Sequence, residues 1–506
     1  MDASSTTLTR PLRTLDPRVT LGLFLVFYVL IWTAYGDATH ATVHPDMAEA
    51  WFWGKEFQLG YYKHPFLFAW EAGAWFQIFP RATWSFYLLS TVNSALALVG
   101  VWFLAGEFLK GADRLASVLL LYLTPFYTFL ALKFNANTAL LALWPWASYY
   151  FVRAVRSRHA MDGAIFGVLC GLAMLTKYYS ALFLVSCALA SIVHPERGKI
   201  WRSPAPYAGL FACALIFAPH VWWVIQHGFP TINYALQKSN LSTARLIKCA
   251  VGATIGAVLL QVLPFAAFLG ATRSGALTAL SNVRKFIVQE NTAWIAVMSL
   301  GPFVLTILCG FAGLTQISTD YMIPIFYMVP LTILVSNPQC RIDRIALQTI
   351  VASAAVSMMA ALPAALLIYS GAISIPGNQE PRMRVVAEAS SFWRRETGKP
   401  LKIVAGSWPY ASMFPFYDPD GPSNLVDLSY SRAPWITPEQ IAHKGILIVC
   451  EETDDSCITR ANGFVNQGFT KRQEVKISDA KSFVFFALTS DEKQSAEGQP
   501  DLVLAR

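Results

Sequence analysis

The sequence predicts an α-helical polytopic membrane protein that ends in a small α/β domain. Of its 506 residues, 55% are hydrophobic and 14% are charged, whereas soluble domains carry about 25% charged residues. The apolar residues form long runs up to about residue 375, after which charged and polar residues return. We therefore expect a membrane region at 1–375 and a soluble α/β domain at 376–506.

Eleven apolar runs account for the predicted membrane region. A bilayer core of about 30 Å needs about 20 apolar helical residues. The runs are 19–36, 84–106, 115–132, 136–152, 162–176, 178–193, 205–226, 249–271, 293–314, 320–336 and 345–370. The first follows a basic segment and no small-residue cleavage site comes after it, which predicts an uncleaved span rather than a signal peptide. The runs on either side of Lys177 are so close that a re-entrant pair is the alternative.

Lysine and arginine predict the orientation of these spans. With the N-terminus in the cytoplasm, the inner segments hold Arg10, Arg13, Arg18, Lys110, Arg114, Arg153, Arg156, Arg158, Arg197, Lys199, Arg202, Arg273, Arg284, Lys285, Arg341 and Arg344. The outer segments hold fewer over more residues, chiefly Lys55, Lys63, Arg81, Lys133, Lys177, Lys238, Arg245 and Lys248. This asymmetry favours a cytoplasmic N-terminus, and an odd number of spans then places the C-terminal domain outside. The net charge of +8 is therefore explained by basic inner loops that contact anionic lipid. We expect no nucleic-acid partner.

The C-terminal region alternates between helical and strand-like segments. Helices are predicted at 380–399, 437–443 and 456–467, and strands at 401–405, 445–450, 474–477 and 482–488. This alternation is typical of a small α/β domain. Cys450 and Cys457 lie in it, on the side of the membrane that permits disulfides. A bridge between them and two free thiols are both compatible with the sequence.

The first outer loop, residues 37–83, is long and mixes carboxylates, histidines and lysines with many aromatic side chains. Pro45 followed by Asp46 predicts a helix start. On a helix over 46–57, Asp46 and Glu49 are three residues apart and share one face. A carboxylate pair of this kind can perform acid–base chemistry. The alternative is that Asp46 caps the helix and Glu49 is solvated.

The order of several motifs resembles the GT-C superfamily of membrane glycosyltransferases. The acidic pair is followed by Lys63–His64–Pro65–Phe66, then by Leu175–Thr176–Lys177–Tyr178, Pro219–His220–Val221–Trp222 and Tyr321–Met322–Ile323–Pro324. Over roughly residues 20–340, this order is similar to the bacterial branch related to protein O-mannosyltransferases and to the lipid A aminoarabinose and galacturonic acid transferases. That branch has an acidic first-loop motif followed by a Lys-Pro-Pro or Gln-Pro-Pro element. The resemblance implies a GT-C-like fold of about eleven transmembrane helices.

The resemblance also implies roles for particular residues. Asp46 is the candidate general base, with Glu49 in support. The candidates for binding the donor phosphate or the substrate are Lys63, His64, Lys133, Asn135, Asn137, Lys177 and Tyr178. The alternative for each lysine is an anchor at the membrane interface. Lys177 is the strongest candidate, because a charge between two apolar runs is costly.

Two departures from the family pattern concern the second loop and the metal. Many relatives have an aspartate in the second outer loop, where this chain has Asn135 and Asn137, and an amide cannot act as a base. Some relatives have a metal-contacting glutamate where this chain has Lys63. A divalent metal is therefore an open candidate cofactor, with His44 and His64 as its candidate ligands. The alternative is that these histidines lie at the interface, because their spacing matches no compact ligand motif.

The function implied by the resemblance is transfer of a sugar from a polyprenyl-phosphate donor to an acceptor hydroxyl, with inversion at the anomeric carbon. The acceptor would be lipid A, another lipid, a glycan or a protein, and the location would be the periplasmic face of the bacterial inner membrane. A flippase or transporter for lipid-linked sugars is the alternative function. Transporters tend to show internal repeats and interrupted spans, and the sequence shows no repeat. A third alternative is a binding or assembly protein that acts through its α/β domain.

Overall fold

The computed structural model describes residues 16–239, 242–313, 316–375, 377–465 and 469–489. The part before residue 376 is helical. Its helices are α1 Pro17–Thr39, α2 Pro45–Gly54, α3 Leu67–Ile78, α4 Thr83–Gly106, α5 Gly111–Tyr122, α6 Leu140–Ser157, α7 Ala160–Thr176, α8 Ser180–Val193, α9 Arg197–Trp201, α10 Ala205–Gln226, α11 Pro230–Ser239, α12 Thr243–Leu259, α13 Val262–Thr272, α14 Ala276–Val288, α15 Ala293–Phe311, α16 Val329–Ser336 and α17 Arg344–Tyr369. Short 3-10 turns lie at Pro125–Tyr127, Phe129–Leu132, Thr319–Met322 and Phe326–Met328.

Six helical segments among the described residues are long and apolar enough to cross a bilayer, and a bent pair brings the number to seven. They are α1, α4, α10, the α12–α13 segment, α15 and α17, and the bent pair is α5 with the turns at 125–132. The predicted fold class is confirmed, but the count of eleven spans is not. Three of the predicted runs contain shorter apolar helices, at Ala160–Thr176, Ser180–Val193 and Phe326–Ser336.

Local chemistry explains where these helices begin and break. The α5 segment bends by 87° before Pro125, because proline has no N–H and its ring clashes with the preceding turn. Helix α7 ends at Lys177, whose backbone is extended (φ −161°, ψ 134°). Helix α1 begins at Pro17, and the Asp16 side chain accepts a hydrogen bond from the Arg18 N–H at 2.7 Å. Chain breaks of this kind place polar side chains at helix ends rather than in mid-span.

Helices α7 and α10 pack with their backbones almost in contact. A Cβ atom added to Gly167 would lie 2.0 Å from the carbonyl oxygen of Gly209. One turn earlier, Gly163 faces Ala205 at the same distance. Small residues permit this approach, and close approach stabilises helix pairs in membranes. The packing fixes the end of α7, and therefore Lys177, relative to α10.

The C-terminal domain contains a mixed five-stranded sheet. Its elements are α18 Arg382–Thr397, β1 Ile403–Gly406, α19 Trp408–Ala411, α20 Phe414–Tyr417, β2 Ser423–Val426, α21 Pro438–Lys444, β3 Ile446–Glu451, α22 Asp455–Val465, β4 Phe469–Ser478 and β5 Lys481–Thr489. The strand order is β2-β1-β3-β5-β4. Strand β1 is parallel to β2 and β3, and β5 is antiparallel to β3 and β4.

This domain matches the predicted α/β character closely. Every predicted strand and helix has a counterpart within a few residues, although the end of the 456–467 helix lies outside the described residues. Strand β2 was not predicted. Cys450, at the end of β3, and Cys457, in α22, form a disulfide with a Cα–Cα distance of 5.6 Å.

The C-terminal domain and the first loop share one hydrophobic core. Phe416 of α20 packs against Phe76 and Phe86, with ring centroids 5.5 and 5.6 Å apart. The Trp51 indole donates a hydrogen bond to the Pro415 carbonyl at 3.0 Å, and Arg81 donates to the same oxygen at 2.9 Å. The first loop is therefore held between the membrane helices and the C-terminal domain.

Candidate active site

Helix α2 carries the acidic pair at the start of the first loop. It spans Pro45–Gly54, where the sequence predicted 46–57. The Nδ1 atom of His44 accepts a hydrogen bond from the Asp46 N–H at 3.1 Å and so caps the helix. The Asp46 side chain is 31% exposed, whereas that of Glu49 is 6% exposed. The two carboxylates therefore have different surroundings although they share one helix.

Asp46 faces the second loop. The Asn135 side-chain amide donates a hydrogen bond to Asp46 Oδ2 at 3.1 Å. The Nζ atom of Lys133 lies 3.9 Å from the same oxygen. Burial alone would raise the pKa of Asp46, but His44, Lys133 and the Asn135 amide outweigh it and hold that pKa below its ordinary value. Asp46 is therefore an ionised carboxylate at neutral pH.

Glu49 forms a buried ion pair with Lys63. The Lys63 Nζ atom lies 2.6 Å from Glu49 Oε2. The Trp408 indole of the C-terminal domain donates a hydrogen bond to the same oxygen at 3.3 Å. Burial would lower the pKa of Lys63, but Glu49 and Tyr62 raise it above its ordinary value. Lys63 is thus a permanent positive charge beside the cavity.

Two further lysines complete the charged surroundings. Lys133 Nζ lies 2.6 Å from Asp320 Oδ2. Lys177 donates a hydrogen bond to Asn137 Oδ1 at 2.5 Å, and its Nζ atom lies 3.8 Å from the ring centre of Tyr321. Lys177 is buried at the break between α7 and α8. A ligand in this cavity would meet positive charge from three separate segments of the chain.

These side chains surround a cavity of about 280 Å³. The predicted residues that line it are Asp46, Glu49, Lys63, His64, Asn135, Asn137 and Lys177. Lys133 reaches the cavity through Asp320, which lines it. The structure thus brings together residues predicted from three distant parts of the sequence.

Tyr178 is placed differently from the other predicted residues. It is not among the cavity-lining residues of the described chain. Its hydroxyl lies 2.6 Å from His220 Nε2 and 2.9 Å from Thr231 Oγ1, and His220 Nδ1 lies 2.7 Å from the Leu59 carbonyl oxygen. Tyr178 and His220 therefore connect the break between α7 and α8, helix α10 and helix α11 to the first loop.

Asp320 and Trp408 contact the site but were not predicted from the sequence. Asp320 lies 187 residues from Lys133, and Trp408 lies 359 residues from Glu49. Asp320 directly precedes the Tyr321–Met322–Ile323–Pro324 motif. This motif is the sequence feature that could have identified Asp320 as a site residue. No local pattern marks Trp408, because its role depends on the position of the whole C-terminal domain.

The described side chains do not assemble a typical transition-metal site. Among residues 16–489, apart from the undescribed gaps, no three His, Cys, Asp or Glu side chains come together as metal ligands. His44 caps α2, and the His64 ring packs against Phe68 and Tyr234. Structural and catalytic zinc sites use three or four such ligands. The described residues therefore match neither kind of zinc site.

The comparisons place the chain beside one class of proteins, the polytopic membrane glycosyltransferases, to which its fold and a stretch of its sequence are similar. Residues 63–223 match the family described as dolichyl-phosphate-mannose-protein mannosyltransferase. This matched range contains Lys63, Lys133 and Lys177, whereas Asp46 and Glu49 lie before it.

Particular relatives agree with this class. Lipid A galacturonosyltransferase RgtD of Rhizobium johnstonii is 25% identical over 225 residues, which cover 42% of this chain and 45% of that protein. The match thus spans slightly less than half the length of this curated relative. The crystal structure of ArnT from Cupriavidus metallidurans bound to undecaprenyl phosphate superposes with a TM-score of 0.65 at 13% identity, covering 92% of this chain and 97% of ArnT. The apo state of ArnT gives 0.63 at 13% identity, covering 93% and 98%. At this identity the two structures establish the fold.

Proposed function

We propose that this chain is a membrane glycosyltransferase that moves a sugar from a polyprenyl-phosphate donor to an acceptor hydroxyl. The observation that carries the proposal is the cavity itself, in which the partly exposed carboxylate of Asp46 faces lysines from three separate segments. A carboxylate supplies the base for a hydroxyl, and lysines supply the positive charge for a leaving phosphate. The ArnT structure bound to undecaprenyl phosphate, which has the same fold, supports the donor class.

The proposed reaction is a direct displacement at the anomeric carbon. Asp46 takes the proton from the acceptor hydroxyl as the acceptor oxygen bonds to that carbon. The bond from the anomeric carbon to the phosphate oxygen breaks, and its electron pair leaves with the polyprenyl phosphate. Lys63 and Lys177 stabilise the phosphate charge that develops. A single displacement of this kind inverts the anomeric configuration, and Asp46 then releases its proton to water.

Glu49 has a supporting part in this proposal, because its carboxylate is committed to Lys63. Asn135 hydrogen-bonds Asp46 in the place where many relatives have an aspartate, and therefore orients the base. Asp320 holds Lys133 at 2.6 Å, which limits how closely Lys133 approaches Asp46.

The acceptor is proposed to be lipid A or another lipid, as the name of the Rhizobium relative supports. Glycans and proteins are the alternative acceptors.

The first prediction concerns Asp46. In detergent-purified protein supplied with labelled undecaprenyl-phosphate sugars and lipid A, Asp46→Asn is expected to reduce transfer by about 10²–10⁴-fold, because general base catalysis contributes that much. Asp37→Asn is the matched control. It removes an exposed carboxylate at the end of α1, outside the cavity lining, and should transfer like the wild type.

The same assay separates the alternatives. Unchanged transfer in Asp46→Asn would remove Asp46 as the base. Movement of the lipid-linked sugar across vesicle membranes without a new glycosidic bond would support a transporter instead.

A further inference from the structure

The C-terminal domain contributes a side chain directly to the proposed active site. Trp408 begins α19, immediately after β1. Its indole N–H donates to Glu49 Oε2 at 3.3 Å, and the Lys63 Nζ atom lies 5.2 Å from the centre of its ring. Trp408 therefore contacts both members of the Glu49–Lys63 ion pair.

Three aromatic rings surround the Lys63 ammonium group. Trp53 and Tyr62 of the first loop lie 5.8 and 5.3 Å from Nζ, and Trp408 lies 5.2 Å from it. Cations are attracted to aromatic faces at such distances. A buried ion pair also needs its remaining lone pairs satisfied, since removing two charges from water is costly. Trp408 supplies both an aromatic face for Lys63 and a hydrogen-bond donor for Glu49.

The sheet fixes the position of Trp408. The neighbouring Ser407 donates its backbone N–H to the Val449 carbonyl at 2.9 Å. The Ser407 hydroxyl donates to Asp454 at 2.8 Å and accepts from the Glu451 N–H at 3.0 Å. Three hydrogen bonds of the residue before Trp408 thus attach it to the end of β3 and to the turn that follows this strand. The backbone position of Trp408 is therefore set by the C-terminal domain, while its indole contacts the first loop.

The C-terminal domain also binds the first loop before and after the helix that carries Glu49. The Tyr417 hydroxyl accepts a hydrogen bond from the Val43 N–H at 2.7 Å. Lys55 donates to the Gly421 carbonyl at 2.7 Å, and the Ser423 hydroxyl donates to Glu56 at 2.7 Å. These contacts flank α2 at both ends, so a shift of the domain would move the helix that carries Asp46 and Glu49.

We propose that Trp408 is a positioning residue through which the C-terminal domain completes the active site by orienting Lys63 and Glu49. This inference rests on the proposed function, since Lys63 is taken to stabilise the leaving phosphate. Groups that orient the charged residues of a site are as necessary to it as the charges themselves. The membrane region and the C-terminal domain are accordingly one catalytic unit.

The test compares Trp408→Phe with Trp435→Phe in the full-length detergent-purified protein. Trp408→Phe keeps a ring but removes the indole N–H. Trp435, also in the C-terminal domain, packs on Tyr61 with ring centroids 5.9 Å apart, and its indole nitrogen has no hydrogen-bond partner among the described residues. The two variants therefore remove the same group, but only one of them removes a hydrogen bond to the site.

Trp408→Phe is expected to lower kcat about tenfold, with the donor KM changed far less, because a hydrogen bond to a charged group is lost. Trp435→Phe should keep the wild-type kcat. Trp408→His retains a ring N–H and is expected to recover part of the activity. The melting temperatures of all three variants show whether they are folded. If Trp408→Phe does not fold, the kcat of Trp408→His is compared with that of Trp435→Phe instead. Equal kcat values for Trp408→Phe and Trp435→Phe would overturn the positioning role.

A readout that needs no transferase activity separates this inference from the proposed function. Brief treatment with acetic anhydride, followed by mass spectrometry, measures the reactivity of Lys63 relative to the exposed Lys199. Loss of the Trp408 hydrogen bond should loosen the ion pair and increase Lys63 acetylation, whereas Trp435→Phe should not. Unchanged acetylation in Trp408→Phe would overturn the inference even if transfer is observed. Absence of transfer in the wild type would instead overturn the proposed function, and the acetylation ratio would still test the position of Lys63.

Discussion

Asp46 and Glu49 are one turn apart on the same helix, but their surroundings give them different chemistry. Asp46 is partly exposed to the cavity and accepts a hydrogen bond from an amide. Glu49 is buried and forms an ion pair with Lys63. The Lys63 ammonium lies directly on the Glu49 carboxylate at 2.6 Å, whereas the ammonium group nearest to Asp46 among the described ion pairs, that of Lys133, lies 3.9 Å away. Asp46 therefore keeps lone pairs for an acceptor hydroxyl. The helix therefore presents one candidate base and one positioning group.

Asn135→Asp tests the surroundings of the candidate base. The substitution keeps the side-chain oxygen that accepts the Asn137 N–H at 2.9 Å, but replaces the donor to Asp46 with a negative charge. Like charges raise the pKa of a carboxyl group. Because the ionised base is the active form, activity is lost as the pH falls through the Asp46 pKa. Raising that pKa therefore moves the acid limb to higher pH.

The expected displacement of the acid limb of kcat/KM is about one pH unit or more, which is typical for an adjacent like charge. The measurement is kcat/KM for the donor from pH 4 to 8 in the wild type and in Asn135→Asp. An acid limb that stays in place would show that Asn135 does not control the ionisation of the base.

At the scale of helices and strands, hydrophobic periodicity predicted most elements but not all of their breaks. The C-terminal strands were predicted because short strand-like runs alternate there with helical segments. Strand β2 was missed because Ser423–Val426 is four residues long and begins with Ser and Asn. The segment 115–132 was predicted as one span, whereas the structure bends it before Pro125. Lys177 was singled out because a charge between apolar runs is costly, and the structure places it at the break between α7 and α8.

The contacts of Asp320 and Trp408 could not be predicted in the same way. Each of these side chains reaches the site from a segment 187 or more residues away from its partner. Nothing in the local spacing encodes such a contact, because it depends on how whole elements dock. Asp46 and Lys63, in contrast, lie in one loop with a recognisable order of motifs. The sequence alone was therefore sufficient to identify them as candidate site residues.

The packing of α7 on α10 supports a prediction at the same scale. Gly167→Ala is expected to destabilise the protein, because its new Cβ would lie 2.0 Å from a backbone oxygen that cannot move without separating the helices. Overpacking of this kind costs about 1–3 kcal/mol. The measurement is thermal unfolding in detergent, followed by the fluorescence of the protein.

Gly22→Ala is the control for this packing prediction. Gly22 lies in the second turn of α1, and a Cβ added there meets nothing within 4 Å in the described structure. Alanine is favoured over glycine in helices by up to about 1 kcal/mol, so the melting temperature should stay the same or rise slightly. A Gly167→Ala melting temperature equal to that of Gly22→Ala would contradict the importance of the close approach.

At the scale of the whole molecule, α7 separates two oppositely placed charge clusters. Its last residue, Thr176, adjoins Lys177 in the cavity, and its first residue, Ala160, follows Arg153, Arg156 and Arg158. A helix of 17 residues is about 25 Å long, close to the thickness of the hydrocarbon core. Helix α10, which is long and apolar enough to cross a bilayer, packs alongside α7, so we expect the arginines and the cavity to lie at opposite faces of the membrane. Since arginine is concentrated on the cytoplasmic side, we expect the cavity and the C-terminal domain to face the periplasm.

Single-cysteine labelling tests this orientation. Ser431→Cys introduces a thiol at an exposed position of the C-terminal domain, and His159→Cys introduces one at an exposed position beside the arginines. With a membrane-impermeant maleimide added to cells whose outer membrane is permeabilised, Ser431→Cys should be labelled and His159→Cys should not. The wild type gives the background from the natural cysteines, and lysed cells show that both new thiols are reactive. The reverse pattern would place the cavity in the cytoplasm, where nucleotide sugars are available, and would remove the reason for a lipid-linked donor.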